Sequence, residues 1–424
     1  MTRPSFMDLY LRACGRTMVP LEFNRWSCVA LVSASLADRV YVEKMKKHLV
    51  PNMYIILVGP SGCGKGEAID RALGLVKHNE TLKKQVVRGG LTKQRLLDML
   101  GGRSTKVVKG QAAVDAAEAN PAPWIVYPEL YNSLGAGGPI AEQFIANLTD
   151  MYSGSPVPIT EGTRTWGDVV IQGYCINWLA GTTIQWLRRS LSPDAILSGF
   201  FGRVVAIEGR YAEAWTDAVY PPDYDALMAQ LVERLAELQH VEGECRLTED
   251  AQAVRQQWLA LRDKPTDEML RPAYQRDDDM LLKLCMVLSA CEREDGVITA
   301  EHVSKARSLV LEARRSLPNL VTMAHMRPGN DGILVLESVL RSHQRLTRSQ
   351  LTRLTASRGL SAFQQDQFIT TLTNAGRMRS RQVGRTTHYE WVEARQVYTD
   401  ELGPSGALED WPVGDLSVEG LDTA

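Results

Sequence analysis

The sequence predicts an α/β protein built on a parallel sheet, followed by a helical region and a small unit of helices and a hairpin. Short apolar runs alternate with helical patterns from about 51 to 210, which is typical of a parallel sheet with crossover helices. From about 222 to 327 the pattern is helical throughout. Pro328 and Gly329 then open a segment in which three short helical patterns precede the hairpin-like run GRMRSRQVGRTTHYEWV.

Each element has its own signal in the pattern. Residues 20 to 48 carry apolar side chains at helical spacing, so we expect a helical lead-in that packs on the sheet. A loop rich in Gly, Lys and Ala is expected at 101 to 121. In the α/β part, strands are predicted at 53–58, 84–88, 124–127, 166–173, 174–181 and 203–209. Helices are predicted at 67–77, 91–100 and 139–152.

These patterns divide the chain into five predicted parts. They are an N-terminal helical segment (1–50), an α/β core (51–210), a helical region (211–328), a small helix-and-hairpin unit (329–392) and an acidic tail (393–424). The tail is rich in acidic residues, Gly, Pro and Ser, and its composition predicts disorder.

Composition excludes several classes of protein. With 424 residues and a formal net charge of −2, any nucleic-acid surface must be a local patch. The seven cysteines form no CxxC pair and the seven histidines are scattered, so spacing predicts neither a zinc site nor a disulfide framework. No stretch approaches the roughly 20 apolar residues of a membrane span. We therefore expect a soluble, cytoplasmic protein without a membrane partner.

The run YIILVGPSGCGKG contains the pattern G-x-x-x-x-G-K between an apolar strand and a helical pattern, which is the context of a P-loop. Backbone N–H groups of such a loop point at phosphate oxygens, and Lys65 would supply a mobile positive charge. We predict that ATP binds here; the alternative is a glycine-rich turn with a surface lysine. The predicted contact residues are Gly59, Pro60, Ser61, Gly62, Cys63, Gly64, Lys65, Gly66 and Glu67.

Two positions around this loop differ from the usual pattern. Gly66 stands where a Ser or Thr hydroxyl normally ligates magnesium, and Pro128 stands where an Asp is common. Gly-Lys-Gly also occurs in loops that resemble those of adenylate kinases, where Mg²⁺ is held largely through water. We predict ATP and Mg²⁺ as cofactors, leave direct coordination open, and assign Glu129, after the strand WIVY, to polarise the attacking water. The alternative for Glu129 is a solvated loop acid.

The series YIILVGPSGCGKG, WIVYPEL, INWLAGTT and GFFGRVVAI resembles the AAA+-type P-loop ATPases of phages and mobile elements that are described as helicase-like or primase-helicase-associated. The resemblance covers roughly residues 20 to 210 and implies an AAA+-like parallel sheet. It implies that Thr183 (with its neighbour Thr182) senses the γ-phosphate and that Arg203 reaches the nucleotide of a neighbouring subunit. A homo-oligomer, in the form of a hexameric ring, follows from that role; the alternative is an ordinary surface or salt-bridged arginine.

The later helical segment RDDDMLLKLCMVLSACEREDGVITAEHVSKARSLV is similar in layout to the lid of the minichromosome-maintenance class of AAA+ helicases, which also carry a C-terminal winged helix. On this resemblance, 211–328 is a helical lid and 329–392 a winged-helix domain. Arg276 is then a lid arginine that reaches the nucleotide. The alternative is a charged first turn of a packing helix.

A basic patch lies within residues 331 to 392, which hold nine arginines against four acidic residues. The expected recognition helix, SAFQQDQFITTLTNA, has no Lys or Arg, so we predict phosphate contact through the hairpin without sequence discrimination. Residues 377, 379 and 381 alternate and are expected on one face of a strand. The alternative is a protein-interaction module. The hairpin residues are Arg377, Arg379, Arg381 and Arg385.

Three further cations lie in predicted loops of the α/β core. Lys106, Lys109 and Arg164 hold positions comparable to those of the DNA-gripping loops of ring helicases, although each could be a solvated loop charge. The leading hypothesis is an ATP-dependent oligomeric motor, a helicase or translocase on single-stranded or forked DNA, in a phage or mobile-element replication module. The second is a nucleotide-gated assembly or helicase-loader ATPase with slow or no hydrolysis. A small-molecule kinase and a packaging terminase fit less well.

Overall fold

A computed structural model describes the chain as two compact units, Met1–His325 and Met326–Ala424. Within the described ranges, no helix is both long and apolar enough to cross a membrane. The described residues are 3–88, 91–108, 111–116, 118–130, 139–154, 159–163, 167–190, 199–212, 217–262, 265, 270–292, 295–325, 333, 336–337, 339–340, 343, 345–356, 361–374, 377–383 and 386–392.

The first unit mixes helices and strands. Its helices are α1 (Phe6–Cys14), α2 (Leu21–Leu36), α3 (Lys65–Val76), α4 (Glu80–Gln85), α5 (Lys93–Leu100), α6 (Pro139–Met151), α7 (Ile184–Ser190), α8 (Tyr224–Glu237), α9 (Glu249–Leu261), α10 (Arg271–Gln275), α11 (Asp277–Glu292) and α12 (Ala300–His325). Its strands are β1 (Val40–Lys44), β2 (Lys47–Leu49), β3 (Tyr54–Val58), β4 (Val86–Val87), β5 (Arg103–Val108), β6 (Gln111–Ala116), β7 (Trp124–Tyr127), β8 (Ile159–Thr163), β9 (Gly167–Ile171), β10 (Asn177–Thr182), β11 (Val204–Glu208), β12 (Gly243–Glu244), β13 (Arg246–Leu247) and β14 (Val297–Ile298).

The main sheet has five strands in the order β11-β3-β10-β7-β4, and every described pair is parallel. Tyr54 lies in register with Trp178 on one side and Val204 on the other. All five residues of β3 are buried, as expected for a central strand covered on both faces. The predicted α/β fold with a parallel sheet is therefore confirmed.

The N-terminal lead-in is only partly helical. Helix α2 is buried on nearly every side from Phe23 to Leu36, with polar as well as apolar side chains enclosed. The expectation of a helix as far as residue 48 is wrong, because α2 ends at Leu36 and an antiparallel hairpin of β1 and β2 follows. The run Val40-Tyr41-Val42 has strand propensity, and Met45 and Lys46 form the turn at φ 50° and 60°.

Two antiparallel hairpins replace regions that were expected to be irregular or differently paired. The expected loop at 101 to 121 is wrong, since β5 and β6 pair there. The runs at 166–173 and 174–181 contain strands, but β9 pairs with β8 while β10 joins the main sheet. A Cβ added to Gly101 would lie 2.2 Å from Val169 Cγ1, so the start of the first hairpin lies against the second.

The region after β11 is mainly helical. The expectation of helix throughout is wrong at β12, β13 and β14, because β12 pairs with β1 and β13 pairs with β14. Helices α11 and α12 pack together, α12 also contacts β11, and α1 packs on α8. A buried ion pair between Arg314 of α12 and Asp277 of α11 (2.6 Å) joins the two helices at the start of α11. The predicted boundaries between segment, core and helical region stay predictions, because 1–325 forms one compact unit.

The second unit contains a three-stranded antiparallel sheet in the order β15-β17-β16. Its described residues between 333 and 343 are helical. Its core includes Leu336, Leu351, Phe368 and Met378. The predicted tail lies outside the described residues. The remaining elements are β15 (Arg345–Thr347), α13 (Arg348–Ala356), α14 (Ala362–Asn374), β16 (Met378–Val383) and β17 (Thr386–Trp391).

Candidate nucleotide-binding site

Three predicted motifs meet at one edge of the main sheet. Strands β3, β10 and β7 are adjacent and parallel, so their carboxyl ends lie side by side. The Gly59 amide donates to the Thr182 carbonyl at 3.1 Å, and the Leu130 amide donates to the Gly181 carbonyl at 2.8 Å. The glycine-rich loop, Glu129 and the two threonines are therefore brought together at what we call the carboxyl edge.

The loop itself depends on glycine backbone geometry. Gly62 and Gly64 have φ values of +80° and +88°, which disfavour other residues, and Gly64 directly precedes α3. Lys65 is 3% exposed. Its ammonium donates to the carbonyls of Gly59 at 2.9 Å and Pro60 at 2.6 Å. Binding of a triphosphate would exchange these carbonyl contacts for phosphate oxygens.

The segment that leads into Glu129 approaches the start of α3 through a close passage of two strands at Gly181. A Cβ added to Gly181 would lie 2.4 Å from the Pro128 carbonyl oxygen and 3.4 Å from Lys65 Cβ. Only glycine allows β10 and the residues after β7 to pass this closely. Glu129 follows at once and is exposed, so its carboxylate is accessible to water and ligands at the carboxyl edge.

Gly66 offers no side chain to a metal ion, and the space beside its Cα is open. An added Cβ at Gly66 would meet no atom within 4 Å, and the neighbouring Glu67 is paired with Arg71. Among the described residues, no cluster of three His, Cys, Asp or Glu side chains could hold a metal. A Mg²⁺ ion that arrives with ATP would therefore rely on phosphate oxygens and water, with Glu129 as the nearby carboxylate.

Thr183 has a structural contact of its own. Its hydroxyl oxygen accepts a hydrogen bond from the Trp186 amide at 3.3 Å and so caps the start of α7. An accepting hydroxyl still carries a proton that it can donate, so this contact is compatible with the predicted γ-phosphate sensing. Thr182, at the end of β10, is buried.

Arg203 and Arg276 lie at the opposite edge of the sheet, which we call the amino edge. Arg203 precedes β11, and Val204 is in register with Tyr54, the first residue of β3. The carboxyl edge is roughly 15 Å away along a five-residue strand. Neither predicted arginine is therefore close to the loop of its own chain.

The two arginines are neighbours at the amino edge. Burial lowers the pKa of the Arg203 guanidinium, and the charge of Arg276 lowers this pKa further. Arg203 Nη1 donates to the Gly199 carbonyl at 3.2 Å, while its Nε finds no partner among the described residues. The Arg276 guanidinium carbon lies 5.9 Å from the centre of the Tyr152 ring.

A buried lysine supports the same aromatic ring. Lys283 Nζ lies 4.1 Å from the ring centre of Tyr152 and donates to the backbone carbonyl of Asn52 at 2.9 Å and to its side-chain oxygen at 2.6 Å. Asn52 in turn donates to the Tyr152 carbonyl at 2.8 Å. This network fixes Tyr152 against Tyr54 and so positions Arg276 over a rigid surface.

Sequence reasoning missed two residues at the carboxyl edge. Gly181 was detectable, because a glycine inside the strand run INWLAGTT indicates a close backbone approach. Tyr211 was not assigned, although its hydroxyl donates to the Ser61 carbonyl of the loop at 2.5 Å. Its position three residues beyond the end of β11 is the available signal, since ligands of parallel sheets bind beyond the carboxyl ends of strands.

In the second unit, Arg379 and Arg381 share one face of β16 and are exposed, as predicted from their spacing. Their cross-strand partners are Glu390 and His388. Glu390 is also paired with Arg345 at 3.2 Å. The outer face of this sheet, which we call the basic face, therefore carries three arginines around one glutamate.

Arg377 has a different environment from Arg379 and Arg381. Its guanidinium pairs with the buried Glu337 at 2.9 Å and lies 5.8 Å from the centre of the Trp391 ring. These contacts give it a packing role within the unit. Arg385, Lys109 and Arg164 lie outside the described residues, and of Lys106 only the backbone is described, in strand β5.

Comparisons with known proteins add no identification. No protein-family model matches the chain, and no curated protein matches it at a significant level.

Proposed function

We propose that this chain is an ATP-dependent AAA+-type motor, a helicase or translocase that acts on DNA as a homo-oligomeric ring. The observation that carries this proposal is the convergence of the loop, Lys65, Glu129 and Thr183 at the carboxyl edge. Lys65 and the loop amides would bind the phosphates. Glu129 would polarise the water that attacks the γ-phosphate, and Thr183 would contact that phosphate.

The placement of Arg203 and Arg276 supports an oligomer. Both lie at the amino edge, away from the loop of their own chain. A second copy that brings its amino edge to this loop would supply the guanidinium charge that the transition state needs. Arg276 would then act on the neighbouring nucleotide rather than on that of its own chain.

DNA contact is assigned to two parts of the molecule. The second unit has helices followed by a hairpin, the order of a winged helix, and its basic face would contact phosphates. In the first unit, the hairpins β5–β6 and β8–β9 lie side by side at their bases. Lys106 in β5, together with Lys109 and Arg164, which lie outside the described residues, would contact single-stranded or forked DNA. A cytoplasmic location, in a bacterial or phage-infected cell, belongs to the same proposal.

Steady-state ATP hydrolysis with and without single-stranded DNA tests the motor. We expect DNA-stimulated turnover that Glu129→Gln abolishes while ATP binding remains. Glu80→Gln, which changes an exposed acid on α4, is the matched control and should leave turnover unchanged. Turnover that survives Glu129→Gln would remove the assigned water-polarising role.

A second function, a nucleotide-gated assembly or loader protein, is favoured by one observation. Lys65 is bonded to its own loop, and Gly66 and Pro128 supply no metal-binding side chain. Such a protein would bind ATP with slow or no hydrolysis. A strand-displacement assay on a forked duplex distinguishes the two functions, since only the motor should unwind the duplex.

A further inference from the structure

Tyr211 occupies an unusual place beside the phosphate loop. The chain leaves β11 at Gly209, whose carbonyl oxygen would lie 2.9 Å from a Cβ added to Gly59. Two residues later the Tyr211 hydroxyl donates to the Ser61 carbonyl, while the residue remains 58% exposed. The ring is therefore fixed at its tip to the loop, and most of its surface is in solvent.

We infer that Tyr211 provides the stacking surface for the purine base of the nucleoside triphosphate that the loop holds. This inference rests on the proposed nucleotide binding. A hydrogen bond at the tip restricts the ring before the ligand arrives, so little further conformational entropy is lost when a base stacks on it. A purine presents more aromatic surface to such a ring than a pyrimidine does.

Among the described residues, the segment before α2 packs on the phosphate loop, while Tyr211 stays exposed beside it. Val19 packs against the end of the loop, because a Cβ added to Gly64 would lie 2.9 Å from Val19 Cγ2. Arg71 holds that segment through Thr17 at 3.2 Å. With the phosphates at the loop amides, the base must extend beyond the loop, and Tyr211 is an exposed aromatic side chain bonded to the loop backbone.

Two variants separate stacking from the hydrogen bond. Tyr211→Phe removes the hydroxyl but keeps the ring, whereas Tyr211→Leu keeps an apolar side chain without an aromatic face. Inorganic tripolyphosphate is the matched ligand, since it carries the phosphates without a base. Phe363→Ala removes an exposed aromatic ring from the second unit and is the control variant.

The experiment measures dissociation constants for ATP and tripolyphosphate by calorimetry. Tyr211→Leu should raise the dissociation constant for ATP roughly ten-fold, which is the effect of losing one base stack. The dissociation constant for tripolyphosphate should stay unchanged. Tyr211→Phe keeps the ring but loses the hydrogen bond that restricts it, so it should weaken ATP binding less than Tyr211→Leu does. Phe363→Ala should bind both ligands like the wild type. Equal weakening of both ligands by Tyr211→Leu, or no weakening of ATP, would overturn the stacking role while nucleotide binding stands. Failure of the wild type to bind either ligand would overturn both proposals.

Discussion

The two edges of the main sheet use opposite chemistry. At the carboxyl edge lies the glycine-rich loop, followed by the buried Lys65. The Lys65 ammonium donates to the carbonyls of Gly59 and Pro60. At the amino edge, Arg203 and Arg276 lie together, and no ion pair joins either to a carboxylate among the described residues. The carboxyl edge presents the loop that we propose receives phosphates. The amino edge holds two arginines, and the carboxylate of Asp150 acts on Arg203 through its charge without an ion pair in the described part of the chain.

In the proposed oligomer, this difference would divide each catalytic site between two subunits, with the loop from one and the arginines from the other. Holding two guanidinium groups close together costs free energy unless an anion is shared between them. A single chain does not bring these arginines to its own loop, because a whole strand separates the edges. If a neighbouring loop brings phosphates to the amino edge, each edge supplies what the other lacks.

The largest expected effect comes from removing the Arg203 guanidinium. Arg203→Ala should lower ATP turnover by about 10³-fold or more and change ATP affinity little, because its charge is proposed to act on the transition state at the neighbouring loop. Mixing Arg203→Ala with Lys65→Ala should restore part of the turnover, since mixed interfaces combine an intact loop with an intact arginine. Both variants should be inactive when assayed alone.

The control for this mixing experiment is Arg246→Ala, which removes an exposed arginine paired with Glu244. It should turn over ATP like the wild type. Light scattering should show that both variants assemble. If the assembled mixture is still inactive, Arg203 does not complete the site of a neighbouring subunit.

The amino edge should also be the more sensitive to loss of a buried charge. Asp277 and Arg314 are each 4% exposed in side-chain terms, and their pair lies beside Arg276. Burial raises the pKa of Asp277, and the positive charge of Arg314 partly offsets this rise. Asp277→Ala should reduce the free energy of unfolding by about 3–5 kcal/mol, because it leaves Arg314 buried and uncompensated.

Urea unfolding of three variants tests this effect. Asp225→Ala removes an exposed acid from the first turn of α8 and should change stability by less than about 0.5 kcal/mol. Asp277→Ala combined with Arg314→Met should recover much of the loss. A single variant as stable as the wild type would mean that the pair does not anchor α11.

The carboxyl edge should respond to crowding between its strands. Gly181→Ala places a methyl group 2.4 Å from the Pro128 carbonyl oxygen, so the backbone must shift. We expect a loss of about 1–3 kcal/mol in unfolding free energy and a fall in ATP turnover as Glu129 moves from Lys65. Gly74→Ala, in open space on α3, should instead stabilise by about 0.5–1 kcal/mol. A stable, fully active Gly181→Ala would contradict the close approach.

The sequence was most informative where a single strand and its flanks determine the structure. The predicted strand at 53–58 and helix at 67–77 correspond to β3 and α3, because an apolar run and a glycine loop are local signals. The helix expected to residue 48 and the loop expected at 101–121 failed for the opposite reason. Their strands are specified by pairing with other segments, which local periodicity does not report.

The same limit applies to the candidate site. The sequence predicted which residues follow strands, and strand order then determined that Glu129 and Thr183 meet the loop. It did not reveal that Arg276 lies beside Arg203, or that Arg377 pairs with Glu337 forty residues away. Side-chain partners of this kind depend on how separate helices and strands pack together. The local sequence pattern carries no signal for that packing.

The smallest expected effect concerns the missing hydroxyl at the carboxyl edge. Gly66→Ser adds a hydroxyl in open space within α3, so the variant should fold and gain about 0.5 kcal/mol from helix propensity. Gly74→Ser on the same helix should give a similar gain and is the matched control. Only Gly66→Ser should lower, by a few-fold, the Mg²⁺ concentration needed for half-maximal ATP binding, because a hydroxyl there replaces a water ligand. An identical Mg²⁺ dependence in both serine variants would mean that the ion never approaches residue 66, and the carboxyl edge would then bind magnesium through the nucleotide and Glu129 alone.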